Sequence, residues 1–153
     1  MIFNRTLYDV EEAKRIRAEK VQKGEELTES DINQLERGTL TINTLNRIEE
    51  KQEELKNLFD EDFYFVDKLE HKTWTYTDYF KQSDFDRILN NLTLLKKAYF
   101  VYKSTPEISS TNYRYFETIN TLEHTLNDLD IMINDIKSHY RECGTLQCGE
   151  ESA

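Results

Sequence analysis

The sequence contains few of the residues that interrupt helices or cross-link a chain. It has one proline and four glycines in 153 residues. Both residue types break helices, so their scarcity favours long helices over a strand-and-turn fold. The two cysteines, Cys143 and Cys148, are too few for a disulfide framework, and we expect a reducing compartment. No apolar run approaches the roughly 18 residues of a membrane-spanning helix.

Positive charge is also in short supply. Twenty Lys and Arg residues face thirty Asp and Glu residues, which gives a formal net charge of −10. Proteins bind nucleic acids and anionic membranes mainly through Lys and Arg that neutralise phosphates. The charge balance therefore predicts neither a nucleic-acid partner nor a membrane partner, and it suits a basic protein partner.

The usual sequence patterns of catalysis are missing. The four glycines form no phosphate-binding cluster, and no serine stands in a hydrolase elbow. We therefore predict that the protein is not an enzyme and needs no cofactor. One weak metal candidate exists, because His139, Cys143 and Cys148 are ligands that zinc accepts. The alternative is that both cysteines are free thiols in a terminal segment. We favour this alternative, because a single cluster of this spacing is weak evidence for a metal site.

Helical periodicity and capping residues are what the sequence does contain. Thr6 opens a first helix that ends near Gly24, and Thr28 or Ser30 opens a short second helix that stops at Gly38. A third helix starts at Thr44, and Ser83 and Asp84 cap a fourth that runs to about Tyr102. Their apolar stripes follow the helical repeat: Leu45, Ile48, Gln52, Leu55 and Phe59 in the third, and Phe85, Ile88, Leu89, Leu92, Leu95 and Tyr99 in the fourth.

The last helix, capped by Ser110 or Thr111 and ending near Tyr140, carries a heptad seam. The seam residues alternate in steps of three and four: Ile119, Leu122, Leu126, Leu129, Ile133, Ile136 and Tyr140. Such a seam fits a coiled coil with a partner or an antiparallel bundle within the chain. In a parallel homodimer the flanking positions would pair Thr118 with Glu123, without charge attraction, so we favour the bundle.

The fold prediction is therefore an all-α protein with a small helical bundle at 41–140. An N-terminal helical docking segment at 1–40 precedes the bundle, and a tail segment at 141–153 follows it. The region 63–77, rich in Thr and aromatic residues, predicts a short extended or hairpin segment. Trp74 within it suits either core packing or an aromatic patch that contacts a partner, since Trp and Tyr dominate interface hot spots.

Several patches, in order along the chain, resemble a known family. Asn4-Arg5-Thr6-Leu7-Tyr8-Asp9-Val10 is similar to an "NRT-x-x-DV" opening, and Ile42 to Glu49 is similar to a "YN-x-x-DLNRIE" element. Lys72-Thr73-Trp74 and Asp84 to Leu92 resemble two later stretches. Leu27 to Asp31, Leu35 to Gly38, and Gly144 to Glu150 resemble other elements. Together these patches resemble small tail-associated structural proteins of Firmicutes phages and phage-tail-like bacteriocins.

The resemblance implies a non-enzymatic component of the virion tail that connects baseplate and fibre-region subunits, in several copies set by tail symmetry. The alternative is a cytosolic helical adaptor that sequesters a basic protein. On either hypothesis we predict partner-binding residues among the patches and the aromatic clusters. They are Asn4, Arg5, Thr6, Val10, Leu45, Arg47, Trp74, Tyr76, Tyr113 and Tyr115.

Overall fold

The computed structural model confirms the all-α fold. It describes residues 2, 4–61, 65–98, 103–108 and 112–143, without the side chains of 140–143. Within these residues the chain forms no strand, so the part of the predicted 63–77 segment from 65 onward is an extended stretch without a hairpin. Residues 63 and 64 lie outside the described residues. The helices of the described residues are α1 (Leu7–Glu19), a 3-10 turn (Val21–Lys23), α2 (Glu29–Gly38), α3 (Ile42–Glu61), α4 (Gln82–Ala98) and α5 (Phe116–Cys143).

The first two helices form an antiparallel hairpin with the predicted caps. Thr6 and Thr28 each accept a hydrogen bond from the backbone N–H three residues on, and the Asp at that position accepts one from the cap's own N–H. Such capping boxes satisfy donors that a helix start leaves unpaired. The first α-helix ends at Glu19, one turn earlier than predicted. A 3-10 turn follows, and Gly24 then adopts a left-handed conformation with φ of 68°.

Gly38 was predicted to stop the second helix, but its main role is to allow close packing between the first two helices. It is the last residue of α2, and a Cβ built on it would lie 2.0 Å from the carbonyl oxygen of Asp9 and 2.4 Å from the Cβ of Ala13. Both distances are far below van der Waals contact. The absence of a side chain therefore lets α2 approach α1 closely.

Helices α3, α4 and α5 form the bundle and bury its core. Every predicted stripe residue of α3 is buried, as are Phe85, Ile88, Leu92 and Leu95 of α4. In α5 the seam is buried from Ile119 to Ile133, and the flanking Thr118, Glu123, Thr125 and Met132 are buried too. The heptad seam thus packs within the chain, which confirms the bundle interpretation.

The prediction of an antiparallel arrangement is wrong, because the three bundle helices run parallel. Along α3 and α5, Arg47 pairs with Glu123, Lys51 with Asp130 and Glu61 with Lys137, so both helices advance in the same direction. Glu49 and Gln52 of α3 likewise contact Arg87 and then Ile88 and Asn91 of α4. The seam spacing alone does not distinguish the two directions.

Parallel neighbours require connections that travel back along the bundle. The 20 residues of α3 span about 30 Å. The segment from 65 to 81 returns over this length: Val66 bonds to Asp60, Glu70 to Asn91, and Trp74 to Asn46. The segment that follows α4 returns beside α5, where the Thr105 hydroxyl donates to Asp128 at 2.6 Å. An N-terminal end of the bundle results, at which α3, α4 and α5 all begin.

Three helix starts differ from their predictions for local reasons. Helix α4 begins at Gln82, ahead of the predicted caps Ser83 and Asp84, and the Asp84 carboxylate accepts from the Lys81 N–H at 3.0 Å. Helix α3 begins at Ile42 rather than Thr44, because the hydroxyl of Thr41 accepts from the Thr44 N–H at 3.2 Å. Helix α5 begins at Phe116, after a turn in which the Asn112 side chain accepts from the Arg114 N–H. The predicted caps Ser110 and Thr111 lie outside the described residues, as do Tyr99 and Tyr102 of the predicted α4 end.

Replacing Gly38 by alanine tests the close approach of α1 and α2. We expect Gly38→Ala to lower the free energy of unfolding by about 1–3 kcal/mol, because the added methyl must push the Asp9 backbone away. Asn33→Ala, at an exposed position of the same helix, should change it by less than about 0.5 kcal/mol. Urea unfolding followed by circular dichroism measures both, and equal effects would contradict the packing role.

Candidate functional site

The ten predicted partner-binding residues separate into an internal and a surface group. Arg5, Leu45 and Trp74 are buried, so the structure does not place them on a surface that a partner reaches. Val10, Arg47 and Tyr113 are half-buried, and Asn4, Thr6, Tyr76 and Tyr115 are exposed. The internal group explains how the surface group is held in place.

Arg5 joins the N-terminal hairpin to the bundle. Its backbone N–H donates to Oδ1 of Asn120 at 3.1 Å, and Nδ2 of Asn120 donates to its carbonyl oxygen at 2.9 Å. Its guanidinium forms an ion pair with Glu123, one turn further along α5. Arg47 of α3 donates to the other oxygen of Glu123 at 2.8 Å. Glu123 is fully buried, so this group of residues, the hairpin joint, is a buried ionic contact.

Trp74 is held on α3 in the same way. Its N–H donates to Oδ1 of Asn46 at 2.7 Å, and Nδ2 of Asn46 donates to its carbonyl at 3.1 Å. The indole N–H donates to Glu49 at 3.1 Å, one turn further along α3. Arg87 of α4 also pairs with Glu49, through both terminal nitrogens. Core packing is thus the correct interpretation of Trp74, and Lys72 lies 3.8 Å above its ring.

A third asparagine repeats the backbone contact. The Glu70 N–H donates to Oδ1 of Asn91 at 3.2 Å, and Nδ2 of Asn91 donates to the Glu70 carbonyl at 2.8 Å. We call this pair of hydrogen bonds an asparagine bracket. Each bracket satisfies both polar groups of one residue in an extended segment, as a neighbouring strand would do.

The motif Asn-x-x-Glu occurs at two of the brackets. Residues 46–49 and 120–123 both carry it, and in each case the Asn binds the backbone of one residue while the Glu binds its side chain. The spacing of three places both side chains on one helix face. The sequence prediction missed this pairing and left Glu49 outside the apolar stripe of α3. The repeated spacing was the available signal.

Charged partners shift the pKa values of Arg87 and Asp9. Glu49 raises the pKa of the Arg87 guanidinium above its ordinary value, because the carboxylate favours the charged form. In the hairpin, Arg37 of α2 is the main reason why the pKa of Asp9 lies well below its ordinary value. The Thr6 hydroxyl and N–H lower it further. Asp9 therefore both caps α1 and binds α2, at 3.1 Å from Nε of Arg37.

The N-terminal end of the bundle presents aromatic side chains to solvent. Tyr76 is 93% exposed, Tyr79 84% and Tyr115 57%. At the same end, Phe80 packs edge-on against Tyr113 at 4.9 Å between ring centroids, and its ring is tilted against that of Trp74 at 5.3 Å. Asp78 fixes the turn that carries Tyr76, since its carboxylate accepts from the Thr75 N–H and hydroxyl, both at 2.8 Å. We call Tyr76, Tyr79 and Tyr115 the tyrosine surface.

The metal candidate is only partly described. His139 is exposed, and its Nδ1 lies 2.7 Å from the carbonyl oxygen of Asp135. The side chain of Cys143 and all of Cys148 lie outside the described residues. Among the described residues, no three His, Cys, Asp or Glu side chains are grouped so that they could hold a metal ion.

Comparison with known proteins gives no family assignment. No protein-family model matches the sequence, and no curated protein or solved structure matches it significantly. Within the described part of the chain, every helix is too short or too polar to cross a membrane.

Asn91 and Asn90 provide a matched test of the asparagine bracket. Asn91 is buried and makes the bracket with Glu70, whereas its neighbour Asn90 is exposed. We expect Asn91→Ala to lower the free energy of unfolding by roughly 2–4 kcal/mol, because three hydrogen bonds of a buried side chain are lost, two to Glu70 and one to Gln52. Asn90→Ala should lower it by less than about 0.5 kcal/mol. Chemical unfolding checks this, and similar losses in both variants would show that the bracket contributes nothing particular.

The pKa of Asp9 predicts a pH-dependent contribution to stability. A carboxyl group whose pKa is lowered by folding stabilises the native state above its unfolded pKa of about 3.9, and that contribution declines as the pH falls toward the folded value. We expect Asp9→Asn to be less stable than the natural chain at pH 6, with a difference that shrinks below about pH 4. Glu11→Gln, at an exposed position of α1, should show no such trend in thermal unfolding between pH 2 and 7. A difference for Asp9→Asn that stays constant with pH would contradict the ionic role.

Proposed function

We propose that this chain is a non-enzymatic structural component of a phage or phage-like tail, made in the bacterial cytoplasm, that connects subunits in the baseplate and fibre region. The biological setting of the proposal comes from the resemblance described for the sequence patches. The tyrosine surface, fixed on a rigid support, is the observation that carries a connecting role. Its neighbours would be other tail, baseplate or fibre proteins.

The tyrosine surface has the properties of a protein-binding site. Tyrosine supplies a large contact area at a low cost in conformational entropy, and it is enriched among the residues that dominate binding energy. The support below it is fixed by the Trp74 bracket and the Phe80–Tyr113 contact. Little ordering of the backbone is then needed when a partner binds, which favours affinity.

The N-terminal hairpin offers a second, separate surface. Ala13 and Ile16 of α1 are buried outside the core cluster of the bundle, while Leu7 and Tyr8 are 60% and 70% exposed. The hairpin joint ties it to α5 through one buried ionic contact. A protein with two such surfaces can contact two different neighbours, as a connector must.

The resemblance patches depend on one another in the fold, which also supports the proposal. Asn46 and Glu49 of one patch hold Trp74 of another, and Glu49 pairs with Arg87 of a third. Arg5 of the opening patch and Arg47 share Glu123. Patches that form a single network are more specific as a group than short matches taken one by one.

A cytosolic adaptor for a basic protein is the second candidate. The outer face of α3 favours it, because Glu50, Glu53, Glu54 and Glu61 are all exposed there in a chain of net charge −10. Such a face attracts basic partners over distances of about the Debye length. This attraction weakens with salt, whereas the tyrosine surface gives a contact that salt affects much less.

Localisation of a tagged chain distinguishes the two candidates. We expect a chain tagged within the producing cell to be found in purified particles and to be labelled at the tail tip in immunogold electron microscopy. Replacing both Tyr76 and Tyr79 by Ser should abolish incorporation and leave the unfolding midpoint unchanged, since both side chains are exposed. Phe65→Ser is the matched control, because Phe65 is 83% exposed on the same segment but far from the tyrosine surface. Particles without label, with the whole chain in the cytosolic fraction, would reject the tail proposal and favour the adaptor.

A further inference from the structure

The hairpin joint contains more positive than negative charge. Two guanidiniums, those of Arg5 and Arg47, share the single carboxylate of Glu123. Glu123 is fully buried, and the Arg5 side chain is 3% exposed. Asp9 of the hairpin is already engaged by Arg37. The Arg47 side chain is 29% exposed, so Arg5 is the buried cation that has to share its counter-charge. A buried charge without its own counter-charge is destabilising, and an anion beside Arg5 would therefore be favourable.

Two hydrogen-bond donors in the joint have no acceptor among the described residues. Nη2 of Arg5 and Nε of Arg47 are both buried, and no described residue accepts a hydrogen bond from either of them. Arg5 uses Nη1 for Glu123 and for the carbonyl of Ile2. Buried polar groups in native proteins are nearly always hydrogen-bonded, so an unpartnered guanidinium nitrogen indicates a missing acceptor.

A cavity adjoins Arg5, the first of these two residues. It has a volume of about 80 Å³ and lies between the hairpin and the start of α5, with Arg5, Thr39, Tyr113, Arg114 and Phe116 among its lining residues. Since about 10–15 Å³ is enough for one water molecule, this cavity has room for a carboxylate or a phosphate. Arg114 brings a second guanidinium to its wall.

The start of α5 adds to the attraction for an anion. This helix is 28 residues long, and its first residue, Phe116, lines the cavity. Helix N-termini bind anions, because their first N–H groups lack partners within the helix and the helix dipole is positive there. Arg5, Arg114 and the helix start thus bring donors and positive charge to a cavity whose other walls are mostly apolar, in a protein that is strongly acidic overall.

We propose that the cavity at the hairpin joint is a binding site for a small oxyanion, either a free ion of the phosphate type or a carboxylate. The inference does not rest on the proposed tail function. Its ligand would accept a hydrogen bond from Nη2 of Arg5 and form an ion pair with Arg114. Binding would stabilise the attachment of the hairpin to the bundle, because Arg5 belongs to both.

Titration of the whole chain with sodium phosphate tests the site. Two-dimensional NMR of the ¹⁵N-labelled protein, with ionic strength held constant by sodium chloride, should show saturable shifts of the amide signals of residues 114–117. Arg114→Gln should weaken the affinity about tenfold, as expected for the loss of one charge-assisted hydrogen bond. Arg17→Gln is the matched control, because Arg17 is exposed on α1 and does not line the cavity, and it should bind like the natural chain.

Two further measurements complete the test. Parallel titration with sodium acetate identifies the source: equal or tighter binding of acetate indicates a carboxylate, and preference for phosphate indicates a free tetrahedral anion. Unfolding midpoints in chloride verify that Arg114→Gln is folded, since Arg114 is exposed and outside the regular helix. Shifts that follow ionic strength without saturating, or equal affinities for Arg114→Gln and the natural chain, would overturn the proposal.

Discussion

The parallel order of α3, α4 and α5 makes the whole structure dependent on the asparagine bracket. Parallel helices need connections that return along the bundle, and an extended chain lying on helices has no neighbouring strand to take its backbone hydrogen bonds. Asn46 and Asn91 supply these bonds to Trp74 and Glu70, at two levels of the return segment. Asn120 does the same for Arg5, which leads into the hairpin. Because unpaired buried backbone groups are costly, the brackets determine where the extended segments can lie.

Buried charge accompanies two of the brackets and adds specificity rather than simple stability. Glu49 and Glu123 are both removed from water, which costs several kcal/mol per ion before their partners compensate. A residue bound at one of these positions must have a backbone N–H and carbonyl that are available to the Asn, and a side-chain donor for the Glu. Trp74 and Arg5 both meet this requirement. A shift of one residue along either segment would remove the Trp74 or Arg5 donor and leave Glu49 with Arg87 alone and Glu123 with Arg47 alone. The two Asn-x-x-Glu motifs therefore fix the register of the segments, much as cross-strand pairs fix register in a sheet.

The helices were predictable from the sequence because their signals are local. The Thr6 and Thr28 caps and the stripe from Leu45 to Phe59 depend on spacing within one element, and the structure confirms them. Helix direction was not predictable, since a seam such as Leu122 to Ile133 fits parallel and antiparallel neighbours equally. The burial of Glu49 and Glu123 was missed because their partners lie 25 to 118 residues away in sequence. The sequence correctly places the end of α2 at Gly38. The need for glycine at this position comes from its close contact with the Asp9 backbone, which only the tertiary structure shows.

These features divide the molecule into a rigid and a detachable part. The bundle is fixed by a continuous apolar core and by brackets from α3 and α4, and the Trp74 bracket holds the segment that carries Tyr76 and Tyr79. The hairpin has its own caps and its own close helix contact, and the polar residues of the joint attach it to α5. Polar contacts respond to ions and to neighbouring charges far more than apolar cores do. The position of the hairpin is therefore the property of this fold that an assembly partner or an anion can most readily change.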